Sequence, residues 1–407
     1  MLSRSAITTS IATLVLHLTV SLPLVFGDAP SLAERAGVAD VKGLIAQLGD
    51  PKFGVRKSAG EKLAKIGLPA YQALEDATRE GDREIRYRAE KILAVIRQND
   101  LNRRLTIFLA SLESPEDRTL PSWTRFKAAY GNTSVTRGQF VEMQRAEGEL
   151  LAQLDADPRQ ATELLGKRAL ALAQEQNRLN REGGSLPSGQ VTAALFVAGE
   201  ADVKPSANTV ALLLQLGTQP ALRTAVLSGN VADKQAAEKT AMTRKLLGTV
   251  VARAEDVAAQ QAVQLAAIYD LKEGLAPALK MLEAPGRIRF TIQQAMLLVV
   301  KYGDDSHLPA LEKMFTDNTL LSTTSRNGVR REVQVRDSAL AAALLMTKQE
   351  LKDYFDLPEN LPGQQGLKGA NTLSTAYLTA GFENDEKRAA AMKKWEAFKA
   401  KQPEPKK

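Results

Sequence analysis

Two stretches decide how this chain is read: Val55-Arg56-Lys57-Ser58-Ala59-Gly60-Glu61-Lys62-Leu63-Ala64-Lys65-Ile66, and Ile85-Arg86-Tyr87-Arg88-Ala89-Glu90-Lys91-Ile92-Leu93-Ala94-Val95-Ile96. Val55, Arg56, Ala59, Leu63 and Ile66 recur as Ile85, Arg86, Ala89, Leu93 and Ile96, each thirty positions later. Within a copy the apolar residues fall at i, i+4, i+8 and i+11, which is one stripe of an α-helix. A fixed period of that length identifies a stacked repeat before any single element is assigned.

The punctuation agrees with two helices per copy. Asp50-Pro51 opens the first stripe helix, Gly67 ends it, and Pro69 stands in the first turn of the next, where its missing N–H costs little. Gly81-Asp82 marks the following turn. A second pair of copies follows: Leu265, Ile268, Pro277, Ala278, Leu279 and Leu282 are matched by Leu297, Val300, Pro309, Ala310, Leu311 and Met314 at a period of 32. A third match, from Val335 to Leu345, comes after a polar insertion, Asp317 to Arg331, that reads as a projecting loop.

Composition fits an array of helices. Aromatics make up 5% of 407 residues, whereas strong helix formers dominate, so strands should be rare. The fold class expected is all-α, an α-solenoid of HEAT-like helical hairpins. Its sections are an N-terminal repeat pair at 40–104, an irregular helical segment at 105–190, a second array at 191–316, an inserted loop at 317–333 and a helical cap at 334–400. Further breaks are expected at Ser114-Pro115, Asp157-Pro158 and Gly183-Gly184. Residues 357–375 read as a loop and 401–407 as a disordered tail.

The first 27 residues read as an export signal, with Arg4 in the n-region and an apolar run from Ala6 to Leu24. Val25 and Gly27 place cleavage before Asp28, leaving a linker at 28–39 and an exported, periplasmic or extracellular protein; retention as an anchor is the alternative. Cysteine is absent, which excludes disulfides and thiolate chemistry.

The run Asp50 to Gly67 resembles the HEAT repeat, in the short bacterial form also called the phycobilisome-lyase-like repeat. Pro121-Ser-Trp-Thr-Arg-Phe126, Arg137-Gly-Gln-Phe-Val-Glu-Met143, Val335-Arg-Asp-Ser-Ala-Leu340, Gly381-Phe-Glu-Asn-Asp-Glu-Lys-Arg388 and Lys394-Trp395 look like exported HEAT-repeat proteins common in planctomycete bacteria. The resemblance implies an architecture and an export route, and for Arg56 and Arg86 a hydrogen-bond ladder linking repeats. That group has no established activity, so no catalytic residue is carried over.

No catalytic, cofactor or metal constellation emerges from the residues. His307 is the sole imidazole after the signal, and it lies with Asp304 and Asp305 in a turn where polar residues are expected anyway. Asp155, Asp157, Asp304 and Asp305 lack the spacing of a calcium loop, and Gly183-Gly184-Ser185 lacks the lysine of a phosphate cradle. Asn132-Thr133-Ser134 matches a glycosylation acceptor without further support. Trp123 and Trp395 read as core residues.

The function expected is therefore a non-enzymatic scaffold that binds a macromolecule, with an envelope hydrolase or a peripheral binder of anionic polymer or membrane surface as alternatives. Charge indicates where a partner would land. Of the net +7, Lys52 to Arg104 carries a surplus of five, with 13 basic against 8 acidic residues. Lys57, Lys65, Arg88 and Lys91 lie off the buried stripe and form the expected basic ridge, suited to an acidic protein or an anionic envelope polymer rather than nucleic acid.

Overall fold

The computed structural model describes residues 32–227, 233–283, 289–326, 328–357 and 380–401. The proposed signal, most of the 357–375 loop and the tail from 402 lie outside the described residues. Among the described residues the fold is all-α apart from one hairpin. The chain divides into two compact units, with the boundary between Arg104 and Leu105.

The first unit holds α1 (Leu32–Gln47), α2 (Phe53–Ile66), α3 (Tyr71–Ala77) and most of α4 (Arg83–Ala110). Helix therefore begins at Leu32, inside the segment read as a linker. Ala59, Leu63, Ala89, Leu93 and Ile96 are buried with Leu44, Leu48 and Leu74 in one cluster, so the two stripes face the same core. Gly67 ends α2 at φ 74°, a left-handed conformation that a side chain would strain, and its N–H bonds the Leu63 carbonyl.

Arg56 donates through Nη1 to the carbonyls of Asp50 and Pro51, at 2.7 and 2.9 Å. Arg86 donates through Nη1 to those of Glu80 and Gly81, at 2.6 and 2.8 Å. The two sets of partners are themselves thirty residues apart, so each arginine closes the turn before its own helix. Arg56 Nε also lies 3.2 Å from Glu84 Oε1, which joins α2 to α4.

The second unit begins in the last turns of α4 and continues through α5 (Trp123–Tyr130), α6 (Ser134–Ala156), α7 (Pro158–Arg181) and α8 (Ser188–Gly199). This segment, expected to be helical without a clean repeat period, contains long helices with ordinary caps: Asp157 accepts from the N–H of Arg159 at 2.9 Å to start α7. Helix α8 is buried on nearly every side, as its apolar composition requires. Gly189 lets it meet α6 backbone to backbone, since a Cβ there would lie 2.3 Å from the Glu142 carbonyl oxygen.

Helices α9 (Ala207–Leu216), α10 (Pro220–Leu227), α11 (Lys234–Val251), α12 (Val257–Tyr269), α13 (Leu275–Glu283), α14 (Arg289–Tyr302) and α15 (Leu308–Glu312) follow. Leu265, Ala278 and Leu282 are buried, as are Leu297, Leu311 and Met314, but Ile268, which the period grouped with them, is exposed. Polar links cross this array at similar separations: Lys301 and Tyr302 both donate to Asp270, and Lys313 donates to Glu283 at 3.1 Å.

The insertion read as a loop is a two-stranded antiparallel hairpin, β1 (Leu320–Arg326) and β2 (Val329–Gln334). Its Thr and Ser residues suit a pleated surface, and Asn327-Gly328 between the strands is a strong hairpin signal that polarity alone conceals. Val333 on β2 is buried, and Glu332 exchanges backbone bonds with Phe382 at 3.0 and 3.1 Å. The buried helix α16 (Val335–Met346) comes next, and α17 (Asp385–Lys399) closes the described chain.

Candidate functional site

The four cations expected to form a ridge lie on α2 and α4, and the structure separates one from the rest. Lys57 and Lys65 are exposed along α2, Lys57 with Nζ 3.8 Å from Glu61. Lys91 is exposed on α4, with Nζ 5.5 Å from the Tyr87 ring centroid. Arg88 departs from the expected outer position: its side chain is only 23% exposed and its Nε donates to Glu84 at 2.7 Å. Its guanidinium also lies 5.9 Å from the centroid of the Phe53 ring, and that of Arg56 lies 5.8 Å from the same centroid. Glu84 lies between Arg56 and Arg88, within ion-pair distance of both.

Sequence periodicity missed the apolar part of this surface. Phe53 is 63% exposed and Tyr87 56% exposed, with Leu68 and Val95 also open to solvent. The available signal was their position off the buried stripe, where a polar side chain is expected. An exposed aromatic beside a cation is a common feature of contact surfaces, because the ring supplies area at little entropic cost and the cation supplies orientation.

A separate concavity of about 310 Å³ lies in the second unit, between β2, the Leu351–Asp353 turn and α17. Arg331, almost fully buried, donates from Nη2 to Asp356 and, at 3.0 Å, to Glu383. Lys387 donates to the other oxygen of Glu383 at 2.7 Å. Across the cavity Lys394 bonds the Asp353 carbonyl at 2.7 Å and lies 4.8 Å from the Tyr354 ring centroid. Carboxylates do gather here, as a hydrolase would require, but Asp356 and Glu383 are engaged by cations rather than facing one another across open space.

The stretches singled out by resemblance come together in pairs and act as fixtures of the fold. Arg137 is buried, with its guanidinium carbon 4.1 Å from the Phe108 ring centroid and 5.1 Å from that of Trp123. Its nitrogens donate to the carbonyls of Phe108 and Leu112 and to Asp117, each at 2.7 Å. Arg388 pairs in the same buried manner with Asp337. Both tryptophans are buried, and Trp395 Nε1 donates to Glu312 at 3.2 Å.

The polar clusters weighed for chemistry have local roles. His307 Nδ1 accepts the Asp304 N–H at 3.1 Å and so completes a cap. Hydrogen bonds from the Ser306 hydroxyl and backbone N–H hold the Asp304 carboxyl below the usual range. Asp155 accepts from Arg125 Nε at 3.2 Å, and the same guanidinium reaches Glu200 and Asp202 at 3.0 Å. Its hydrogen bond to Asp202 lowers that carboxyl's pKa. Among the described residues, no group of three or more His, Asp or Glu is placed to hold a metal ion, and no helix is long and apolar enough to cross a membrane.

Compared with known proteins, the chain matches no protein-family model and no curated sequence.

Proposed function

We propose that this chain is an exported helical-repeat scaffold, a HEAT-like α-solenoid without catalytic machinery, that holds an acidic protein or an anionic envelope polymer against the exposed side of α2 and α4. One observation carries the reading: Phe53 and Tyr87 stay exposed, each beside a cation, on helices whose stripes bury Ala59, Leu63, Ala89, Leu93 and Ile96 in the core. Leaving the exposed part of these two rings in water, with Phe53 63% and Tyr87 56% exposed, forgoes roughly 1–2 kcal/mol each. Binding a partner recovers that area, and Lys57, Lys65 and Lys91 select a partner of negative charge.

The test replaces Lys57, Lys65 and Lys91 together with glutamate and, separately, Phe53 and Tyr87 with serine. Arg88 is left in place because it packs on Phe53 and pairs with Glu84. Each variant is expected to lose retention on the native envelope fraction at unchanged helicity. The triple variant should also lose it on an anionic matrix at low salt. Retention equal to wild type for both variants refutes the proposed surface.

A further inference from the structure

The β1–β2 hairpin has two edges, and the rest of the fold covers them unequally. On the β2 side, Glu332 exchanges backbone bonds with Phe382 at 3.0 and 3.1 Å. Those bonds aim the Glu332 N–H and C=O away from β1, so Glu332 and the residue opposite it, Thr323, form a non-hydrogen-bonded pair of the ladder. The turn gives the same phase independently. Arg326 and Val329 flank a two-residue loop as a hydrogen-bonded pair, which makes Ser325–Arg330 and Thr323–Glu332 the non-bonded ones.

The N–H and C=O groups of Thr323 and Ser325 therefore point outward along the far edge of β1. No backbone group among the described residues bonds them there, and both residues are exposed. An open edge is a template for another strand, and proteins guard such edges with charge, proline or a bulge. From Leu320 to Ser325, β1 holds neither charge nor proline, and its one irregularity, between Leu320 and Ser322, lies beyond the open positions. The charged residues of the hairpin's centre, Arg330, Arg331 and Glu332, all lie on β2, away from this edge.

We infer that the open edge is an interface between two copies of the chain, formed by antiparallel pairing of β1 with the β1 of a second copy. The strand is complementary to itself in that arrangement. With the two-fold axis at Thr324, Thr323 of each copy stands opposite Ser325 of the other, and each pair exchanges N–H···O=C bonds because both residues present those groups outward. Thr324, whose backbone groups are engaged within the hairpin, falls on the axis as the non-bonded pair that the alternation requires. Threonines opposite one another at such a position are a favourable cross-strand pair. No like charges meet, since Arg326 falls opposite Ser322. The edge has no charge with which to select an acidic partner, so this interface is independent of the surface on α2 and α4.

Sedimentation velocity of the 407-residue chain at increasing concentration should show a monomer–dimer equilibrium. The Thr323 and Ser325 amides should become protected from hydrogen exchange as the dimer forms. Thr323→Pro removes an outward N–H without touching the hairpin's own bonds, and should weaken dimerisation at least tenfold. Ser325→Pro does the same at the other open position and serves should the first variant not fold. Arg330→Pro, which removes an outward N–H from the opposite edge, should leave the dimer within twofold of wild type. Protection of the Thr324 amide, bonded inside the hairpin, shows that the hairpin is intact in each variant. A synthetic peptide of the Leu320–Arg326 sequence should compete with dimerisation. A chain that stays monomeric at every concentration, or a dimer within twofold of wild type in the folded Thr323→Pro or Ser325→Pro chain, overturns the inference. A monomeric chain that binds the peptide also overturns it, and assigns the edge to a strand of a different protein.

Discussion

Asp337, in the first turn of α16, and Arg388, in the first turn of α17, form an ion pair in which both side chains are almost completely withdrawn from water. Arg388 Nε lies 2.7 Å from Asp337 Oδ1 and Nη2 lies 3.2 Å from Oδ2, so the contact is two-pronged. Asp337 also accepts the Gln334 N–H at 2.9 Å, and the Arg388 guanidinium lies 5.4 Å from the Phe382 ring centroid. This pair connects segments 51 residues apart. Arg388→Met strands the buried Asp337 carboxylate and should cost about 3–5 kcal/mol in denaturant unfolding, whereas Asp337→Ala leaves Arg388 its bond to Asp385 and should cost less. The double variant should cost less than the sum of the two, because neither charge is then left alone.

The first-unit core predicts an order of sensitivity. Leu63 and Leu93 occupy equivalent buried places, so truncating either to alanine should cost about 2–5 kcal/mol. Lys57→Ala and Lys65→Ala, at exposed positions of the same helix as Leu63, should stay within about 0.5 kcal/mol of wild type. Chemical denaturation of the four variants checks the order.

Arg56 and Arg86 make the same carbonyl contacts but differ in surroundings. Arg56 also lies against Glu84 across to α4, whereas the Arg86 bonds are exposed to water that can replace them. Arg56→Met should therefore cost about 1–3 kcal/mol, and Arg86→Met no more than about 1 kcal/mol. Equal losses for the two would show that the link between α2 and α4 adds nothing.

Two glycines of the second unit make opposite predictions. Gly189→Ala drives a methyl into the Glu142 backbone, which cannot yield as a flexible side chain would, and should cost upwards of about 1–3 kcal/mol. Gly138, within α6, has nothing within 4 Å of where a Cβ would stand. Gly138→Ala should stabilise by roughly 0.5–1 kcal/mol through helix propensity. Thermal unfolding of both variants reads the two signs directly.

The Arg125 cluster sets a dependence on acid. Its hydrogen bond holds Asp202 below the ordinary carboxylate pKa, so the folded state binds that proton less readily than the unfolded chain does. The stabilisation is present above the unfolded value, near 3.9, and is lost as pH falls through the folded one. The gap in denaturation midpoint between wild type and Arg125→Met should accordingly hold above the unfolded value of about 3.9 and narrow as the pH falls below it. A gap independent of pH would assign the role of Arg125 to packing.

Much of the helical layout was legible because its causes are local. Apolar residues at helical spacing, Asp157 before Pro158, and Gly67 and Gly183 at φ 74° can each be read within a few residues, since stripes, caps and left-handed turns depend on near neighbours. The hairpin at 320–334 was less legible because a polar strand carries no apolar alternation, and its Asn-Gly turn is a two-residue signal within a polar stretch. Of the proposed basic surface, spacing implies the exposure of Lys57, Lys65 and Lys91, whereas it does not show that of Phe53 and Tyr87, because helical periodicity assigns apolar residues to the core.

By itself, then, the sequence determined the all-α class and the thirty-residue register that places Leu63 and Leu93 at equivalent buried positions, because each follows from spacing along one or two helices, whereas the ladder between repeats implied for Arg56 and Arg86 gave way to carbonyl contacts within each arginine's own turn. Only the tertiary structure decided that Arg56 reaches Glu84 across to α4, that Asp337 meets Arg388, that Phe382 joins the edge of β2, and that Gln219 Nε2 is buried with no acceptor among the described residues. The physical reason is range: burial periodicity is written into neighbouring side chains, whereas the partner of a charge or an amide depends on which distant segment packing brings within about 3 Å of it.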